Sequence, residues 1–304
     1  MNDKPLVSIL INNYNYENFL PEAIDSALSQ TYSPVEIVVV DDGSKDNSRE
    51  VINNYGGRIV SVFKKNGGQA SAFNASFQAS QGEIICFLDA DDYYAGNKVS
   101  RIAELFIHNP DTGWIFHELD DVDTNRHHLE FPINQGVSEC IFADLRENIL
   151  KGHLLPRFPA TSGLCFRRNI LKQILPMPEQ LLISADNFLR LATIYLSPGL
   201  LLPDKLAVHR IHGANLFEFR SDTAFKNAET NIKTSYYLKK KFPETKLFAD
   251  RLYANAFGML AGKTSFNRVF QIPESWEYIK NFSFGSFLKC SALMTYNYAK
   301  AVIS

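Results

Sequence analysis

The sequence predicts an α/β fold: a doubly wound, mostly parallel sheet with helices on both faces over residues 1–220, then a helical subdomain over 221–304. Three observations lead there. Short apolar runs, Leu6–Ile11, Val35–Val40, Arg58–Phe63 and Ile84–Asp89, alternate with stretches of helical spacing through short connections, the pattern of consecutive parallel strands. These runs are largely apolar at successive positions, as strands covered on both sides must be. Three of them end in polar residues, Asn12–Tyr14, Asp41-Asp42 and Asp89–Asp92, which become neighbours only if the sheet is parallel. Open α/β sheets place ligands at that edge.

The first strand, Leu-Val-Ser-Ile-Leu-Ile, opens into the polar loop Asn12-Asn13-Tyr14-Asn15-Tyr16. Phe19, Leu20, Ala23, Ile24, Ala27 and Leu28 share one helical face, and Ser33-Pro34 ends that unit. The second strand runs into Asp41-Asp42-Gly43-Ser44, where Ser44 or Asp46 can cap a helix reaching Tyr55. After the third strand, Asn66-Gly67-Gly68-Gln69 turns into a helix with Ala70, Phe73 and Phe77 inward. Beyond the acidic cluster, Val99, Ile102, Leu105 and Phe106 mark a helix, and Thr112–Phe116 a strand. The polar stretch from Glu118 to Gln135 reads as a hairpin or loop, with His117, His127 and His128 solvated. Ile141, Leu145 and Ile149 read as a helix, Gly163–Arg167 as a strand, and Asn169–Leu175 as a short helix. Ser184-Ala185-Asp186 precedes a helix, and Leu206–Ile211 is the last strand. From about Thr223 the pattern is helical, ending in the aromatic-rich Phe282–Leu288 segment.

Composition narrows the function classes. The 304 residues are 45% hydrophobic and 21% charged, with a formal charge of −2. That balance supports a full core and argues against a nucleic-acid partner. Cys86, Cys140, Cys165 and Cys290 are scattered without metal-ligand spacing, which points to reduced thiols and a cytoplasmic setting. The N-terminus lacks the form of a signal peptide, and no apolar run reaches the length of a membrane span. Lys239-Lys240-Lys241 reads as an exposed helix face; such a patch also suits peripheral contact with an anionic membrane.

The chemistry concentrates in Asp89-Ala90-Asp91-Asp92. Carboxylates this close raise one another's pKa unless a cation neutralises them. A cluster at the mouth of a buried strand is therefore a candidate seat for a hard divalent ion and the phosphates it carries.

With these residues in view, the chain resembles glycosyltransferases of family 2, which have the GT-A fold. The resemblance rests on Val-Ser-Ile-Leu-Ile-Asn-Asn-Tyr-Asn (7–15), Val-Val-Asp-Asp-Gly-Ser (39–44), Asn-Gly-Gly-Gln (66–69), Asp-Ala-Asp (89–91) and Arg-Ile-His-Gly-Ala-Asn (210–215), in order over residues 5 to 220. It implies an inverting transfer of sugar from a nucleotide-diphosphate donor, most simply a UDP-sugar, to a hydroxyl of a glycan or lipid-linked acceptor in polysaccharide or glycoconjugate synthesis. It also implies Mn²⁺ or Mg²⁺ as cofactor, held by Asp91 with His212 as a further metal or phosphate contact. The resemblance places Asp89 on the ribose or sugar, Asp42, Tyr14 and Asn12 on the base, and Gln69 near the diphosphate. Asp186 matches the catalytic base of inverting members. The chain departs from the family in two places. Many relatives carry Arg-Asn where this chain has Phe73-Asn74, so a cationic donor contact is missing, and many have an acidic residue where this chain has Ala185.

Each role has a plainer counterpart. Asp91 and Asp92 would cap the next helix, Asp42 would hold an Asp-Gly-Ser turn, and Asp186 would be an N-cap. Two other functions compete. A sugar-phosphate nucleotidyltransferase would show a Gly-rich basic loop after the first strand, where this chain has Asn12-Asn13-Tyr14-Asn15. A non-catalytic sugar-nucleotide binder would keep the donor residues without turnover.

Overall fold

The computed structural model describes residues 4–129, 137–153, 155–213, 215, 223–282 and 284–303. The stretch 130–136 within the polar segment expected to reach Gln135, Ala214 of the 210–215 motif, the expected boundary at 220, and Ser283 with the Phe284 and Phe287 side chains lie outside this description.

The first half alternates as expected: β1 (Val7–Asn13), α1 (Leu20–Leu28), β2 (Val35–Asp41), α2 (Ser48–Asn54), β3 (Val60–Phe63), α3 (Gln69–Ala79) and β4 (Ile84–Asp89). β1 pairs in parallel with β2 and β4, and β2 with β3. Val7, Ile9, Leu10 and Ile11 of β1 and Ile85–Leu88 of β4 are solvent-inaccessible, which is why both read as unbroken apolar runs. The register sets Asn13 beside Asp41 and Asn12 beside Asp89.

The rest of the sheet is mixed. After β5 (Tyr93–Tyr94) and α4 (Lys98–His108) come β6 (Trp114–Val122), β7 (Ile141–Ala143), α5 (Arg146–Lys151), β8 (Leu164–Arg167), α6 (Arg168–Ile174), α7 (Asp186–Leu196) and β9 (Gly199–Arg210). The strand order is β3-β2-β1-β4-β8-β6-β9-β5, with β7 also on β9. β8 is antiparallel to both neighbours, while β6 and β9 run in parallel.

Several local expectations are corrected. The strand begun at Trp114 continues to Val122, because β9 supplies partners as far as Val122↔Arg210. Ile141 therefore lies in a strand on β9, and only Arg146–Lys151 is helical there. His117 is no solvated loop residue: it is fully buried in β6. Its Nδ1 lies 2.8 Å from the Glu118 carbonyl, and Nε2 has no partner. That matches a neutral ring with its proton on Nδ1. Burial, and then the charge of Lys98, push its pKa well below the usual value. His127 and His128 are exposed, on Asp123 and Asp120.

The chain forms two compact units: residues 1–144, 157–182 and 196–214, and residues 145–156, 183–195 and 215–304. The second holds α8 (Thr223–Lys241), α9 (Lys246–Lys263), α10 (Phe266–Phe270), α11 (Pro273–Lys280) and α12 (Phe284–Ile303). Its core gathers Ile232, Tyr253, Phe257, Leu260, Val269 and Tyr278. Lys239 departs from the expected exposed face: its ammonium lies 2.8 Å from Asp250 and 4.4 Å from the Tyr278 ring centre. Among the described residues no helix is long and apolar enough to cross a membrane. All four cysteines are free thiols.

Candidate active site

The carboxyl ends of β1, β2 and β4 form one polar edge. Asn13 donates to Asp41 at 2.9 Å and to Ser44 at 3.1 Å, and the Ser44 amide donates to Asp41. Asp41 thus holds the turn after β2. Asp42, 4% exposed, accepts from Lys64 Nζ at 2.5 Å, from the Gly67 amide through both oxygens, and from the Gly68 amide at 2.8 Å. A carboxylate offers about four acceptor positions, so the loop after β3 occupies most of this one. Gly68 adopts φ +82° there, and a Cβ would meet the Leu182 backbone at 2.8 Å, so glycine suits that approach. Between these strands, Asn12 has a buried amide with neither its nitrogen nor its oxygen hydrogen-bonded. A buried amide without partners is costly, and marks a place where a ligand or water belongs. Tyr14, half-buried, follows two residues on.

The acidic cluster divides its labour. Asp92 caps no helix: Asn97 occupies the N-cap of α4. Asp92 instead accepts from Ser162 Oγ at 2.5 Å and from the Arg210 amide at 2.9 Å. Burial foremost pushes its carboxyl up to about 6; the charge of His209 opposes this and that of Asp91 adds to it. The same Ser162 hydroxyl accepts from the Asp89 amide at 3.1 Å, and its carbonyl accepts from the buried Lys98 ammonium at 2.7 Å. Lys98 lies 3.4 Å from the Tyr94 ring centre, and burial lowers its pKa. This network leaves the Asp89 side chain at the half-exposed mouth of β4.

Asp91 meets His212, whose Nε2 lies 3.2 Å from its Oδ2. The imidazole is held by aromatic rings: Phe19 stacks at 4.5 Å between centres, and Tyr16 meets it edge-on at 5.7 Å. The Tyr16 phenol also hydrogen-bonds Asp91. Burial first, then the negative charge of Asp91 and Asp89, raise the Tyr16 pKa, so it stays a neutral donor. Arg210 lies over Phe19 at 4.9 Å and pairs with Glu22 at 3.0 Å.

Asp91 and His212 fit a divalent ion in their chemistry and spacing. Two ligands about 2.1 Å from one ion at right angles stand roughly 3 Å apart. Among the described residues no three His, Cys, Asp or Glu side chains gather to hold a metal. A shared ion would complete its shell with further oxygens, from water or a bound ligand.

The remaining expected residues are placed as follows. The Gln69 side chain contacts Thr161 Oγ1 at 3.5 Å. Its amide donates to the Leu182 carbonyl, and the Ala70 amide to that of Leu181, so the first amides of α3 are already engaged. Asn74 is structural, bonding both the amide and the carbonyl of Met177. Asp186 lies in the other compact unit, as the first residue of α7, with Arg190 at 3.2 Å.

Sequence reasoning left out Tyr16, Phe19, Lys64, Lys98 and Ser162. The aromatic spacing of Tyr16 and Phe19 before a helix was visible, but reads as ordinary packing. Nothing local to Ser162 marks a serine that bridges two aspartates more than 60 residues before it.

The profile described as glycosyl transferase family 2 matches residues 8–175. An uncharacterized glycosyltransferase of Nostoc sp. is 42% identical over 214 residues, which cover 69% of this chain and 66% of that protein. The match thus spans just under two thirds of the relative. Staphylococcus aureus TarS 1–349, solved in complex with UDP-GlcNAc, superposes with a TM-score of 0.65 at 18% identity, covering 98% of this chain and 88% of that one. The mannosyltransferase PcManGT from Pyrobaculum calidifontis, solved with GDP-Man and Mn²⁺, gives a TM-score of 0.50 at 15% identity, covering 99% and 88%. At such identities the structural likeness speaks for the fold alone.

Proposed function

The chain belongs to glycosyl transferase family 2, and on that premise we propose that it is an inverting, metal-dependent glycosyltransferase using a nucleotide-diphosphate sugar, a UDP-sugar first among candidates. The observation that carries this reading is the Asp91–His212 pair, 3.2 Å apart, just past the end of β4. Beside that strand, Asn12 presents its unpartnered amide.

In this reading Asp91 and His212 hold Mn²⁺ or Mg²⁺, whose positive charge, when bound, stabilises the departing diphosphate. Asp89, half-exposed at the strand mouth, takes the ribose or sugar hydroxyls. Asn12 and Tyr14 flank the base. Asp42 receives the base edge as Lys64 withdraws, since Lys64 is its one partner on a flexible stem. Gln69 orients the donor from the start of α3. Asp186 accepts the proton of the acceptor hydroxyl as that oxygen bonds to the anomeric carbon and the anomeric carbon–phosphate oxygen bond breaks; Arg190 orients its carboxylate.

In this reading the donor residues lie within residues 1–220, and the acceptor meets the region after residue 118 and the C-terminal helices. TarS, solved with UDP-GlcNAc, and PcManGT, solved with GDP-Man and Mn²⁺, share this fold, which makes a nucleotide-sugar donor and a divalent metal the first ligands to test. The acceptor is a glycan or a lipid-linked saccharide met from the cytoplasm, with the protein in peripheral contact with the membrane.

The test is calorimetric titration of UDP, GDP, dTDP and CDP, each with and without Mn²⁺, into the wild-type chain and Asp91→Ala. One nucleotide should bind only with metal, and Asp91→Ala should weaken it at least about 100-fold. Absence of binding by every nucleotide would leave the family fold without its donor chemistry. Asp186→Asn should keep that affinity within about twofold and lower turnover by roughly 100-fold or more. Unchanged turnover would remove Asp186 as the base.

A further inference from the structure

The C-terminal unit carries an aromatic cluster that its own packing leaves uncovered. Phe257 lies in the core of this unit. Phe266 and Phe270 contact its ring at 6.1 and 5.9 Å, and Phe270 meets Trp276 at 5.8 Å. The outer three rings are joined through Phe257, and Phe266 also stacks on Tyr298 at 5.3 Å, yet Phe266 is 50% exposed, Phe270 42% and Trp276 50%. Single exposed apolar residues need no explanation; a joined aromatic group does.

The surrounding charge says what covers it. Lys263, Arg268 and Lys280 are exposed on the same segment. The Lys280 ammonium stands 5.4 Å from the Trp276 ring centre and also pairs with Glu277 at 3.2 Å. Residues 221–304 hold twelve Lys and Arg against six Asp and Glu, a formal +6, whereas residues 1–220 hold nineteen against twenty-seven, a formal −8. Two copies meeting through this face would bring positive regions together. An anionic lipid surface offers the complementary charge and a boundary layer that accepts Trp and Phe. α10 and α11 are five and eight residues long, so the fitting mode lies in the interface without spanning it.

We infer that the face formed by Phe266, Phe270 and Trp276, rimmed by Lys263, Arg268 and Lys280, docks on anionic membrane lipid. This deepens the membrane-contact part of the proposed function and rests on none of the donor chemistry. A chain held there is positioned for an acceptor that is itself lipid-borne.

The two tryptophans make the test direct, because Trp114 is fully buried and Trp276 is half exposed. The full chain is mixed with vesicles of phosphatidylcholine, with and without phosphatidylglycerol, and fluorescence and flotation are followed. With phosphatidylglycerol the emission should shift to the blue, and brominated acyl chains should quench it. Trp276→Phe should abolish both signals. The triple variant Lys263→Glu, Arg268→Glu, Lys280→Glu should lose vesicle affinity by about tenfold or more. Calorimetric nucleotide binding by the same preparations verifies folding and tests the donor reading separately. Vesicle binding that leaves Trp276 emission unmoved, equal binding to both vesicle types, no binding to either, or burial of Trp276 in a concentration-dependent dimer would each overturn the inference.

Discussion

Asp42 and Asp91 follow neighbouring parts of one sheet edge, separated by β1, and both are nearly buried, at 4% and 7% exposure. Their surroundings differ. Asp42 is bound into its own fold by a lysine and two backbone amides of one short loop, 22 to 26 residues away. Asp91 meets a histidine 121 residues away and the phenol of Tyr16, side chains in both cases and not backbone. Between them the amide of Asn12 has no hydrogen-bond partner. The same residue type on the same edge is thus held mainly by its own neighbouring loop in one place and by side chains from distant parts of the chain in the other. Partner type separates the two: backbone amides commit a carboxylate, whereas rotatable side chains leave its direction adjustable.

That contrast breaks first at stability. Asp42→Ala removes the acceptor of two loop amides and of a partly exposed ammonium that keeps the Lys65 carbonyl, and should cost about 2 kcal/mol in urea unfolding. Asp91→Ala takes the acceptor from His212 and the Tyr16 phenol but relieves repulsion with Asp92, and should cost less, about 1 kcal/mol, without metal. Equal losses would erase the distinction.

A second measurement sets the sheet interior against its edge. His117 is buried neutral, with a folded pKa well below the usual value. Below about pH 6.5 the unfolded chain therefore binds a proton that the folded chain does not. Stability contributed by this group is complete above that pH and lost on acidification, at up to about 1.4 kcal/mol per pH unit. Urea midpoints from pH 7 to 5 should fall accordingly, and His117→Gln should flatten the dependence; an unchanged slope would assign it to other groups.

The smallest effect tests adjustability itself. Tyr16→Phe removes one hydrogen bond to Asp91 and keeps the ring against His212. Mn²⁺ affinity in the presence of nucleotide, read by calorimetry, should fall about fivefold, roughly 1 kcal/mol, with the urea midpoint nearly unchanged. No change in metal affinity would mean that the phenol plays no part in aiming Asp91.

The two halves of the sheet were unequally legible in the sequence. β4 was readable to the residue because both faces of a parallel central strand are buried and its apolar run is continuous. β6 was cut short because His117-Glu118-Leu119-Asp120-Asp121 looks like a polar loop. It is a strand because β9, about 85 residues later, pairs with it, and its outer part is only half-buried. For the same reason Ile141, a strand residue on β9, passed for part of a helix.

By itself the sequence determined the four parallel strands and the convergence of Asn12, Asp42 and Asp89–Asp92 on one edge. Strand direction and register follow from apolar runs and short crossovers, and these are local. Only the tertiary structure decided which convergent groups are committed. The chain's return through Ser162, Arg210 and His212 brings a hydroxyl, an amide and an imidazole onto the acidic cluster from 70 to 121 residues away. Local propensity carries no record of such meetings: a hydrogen bond depends on where two atoms arrive, and that is set by the packing of every element between them.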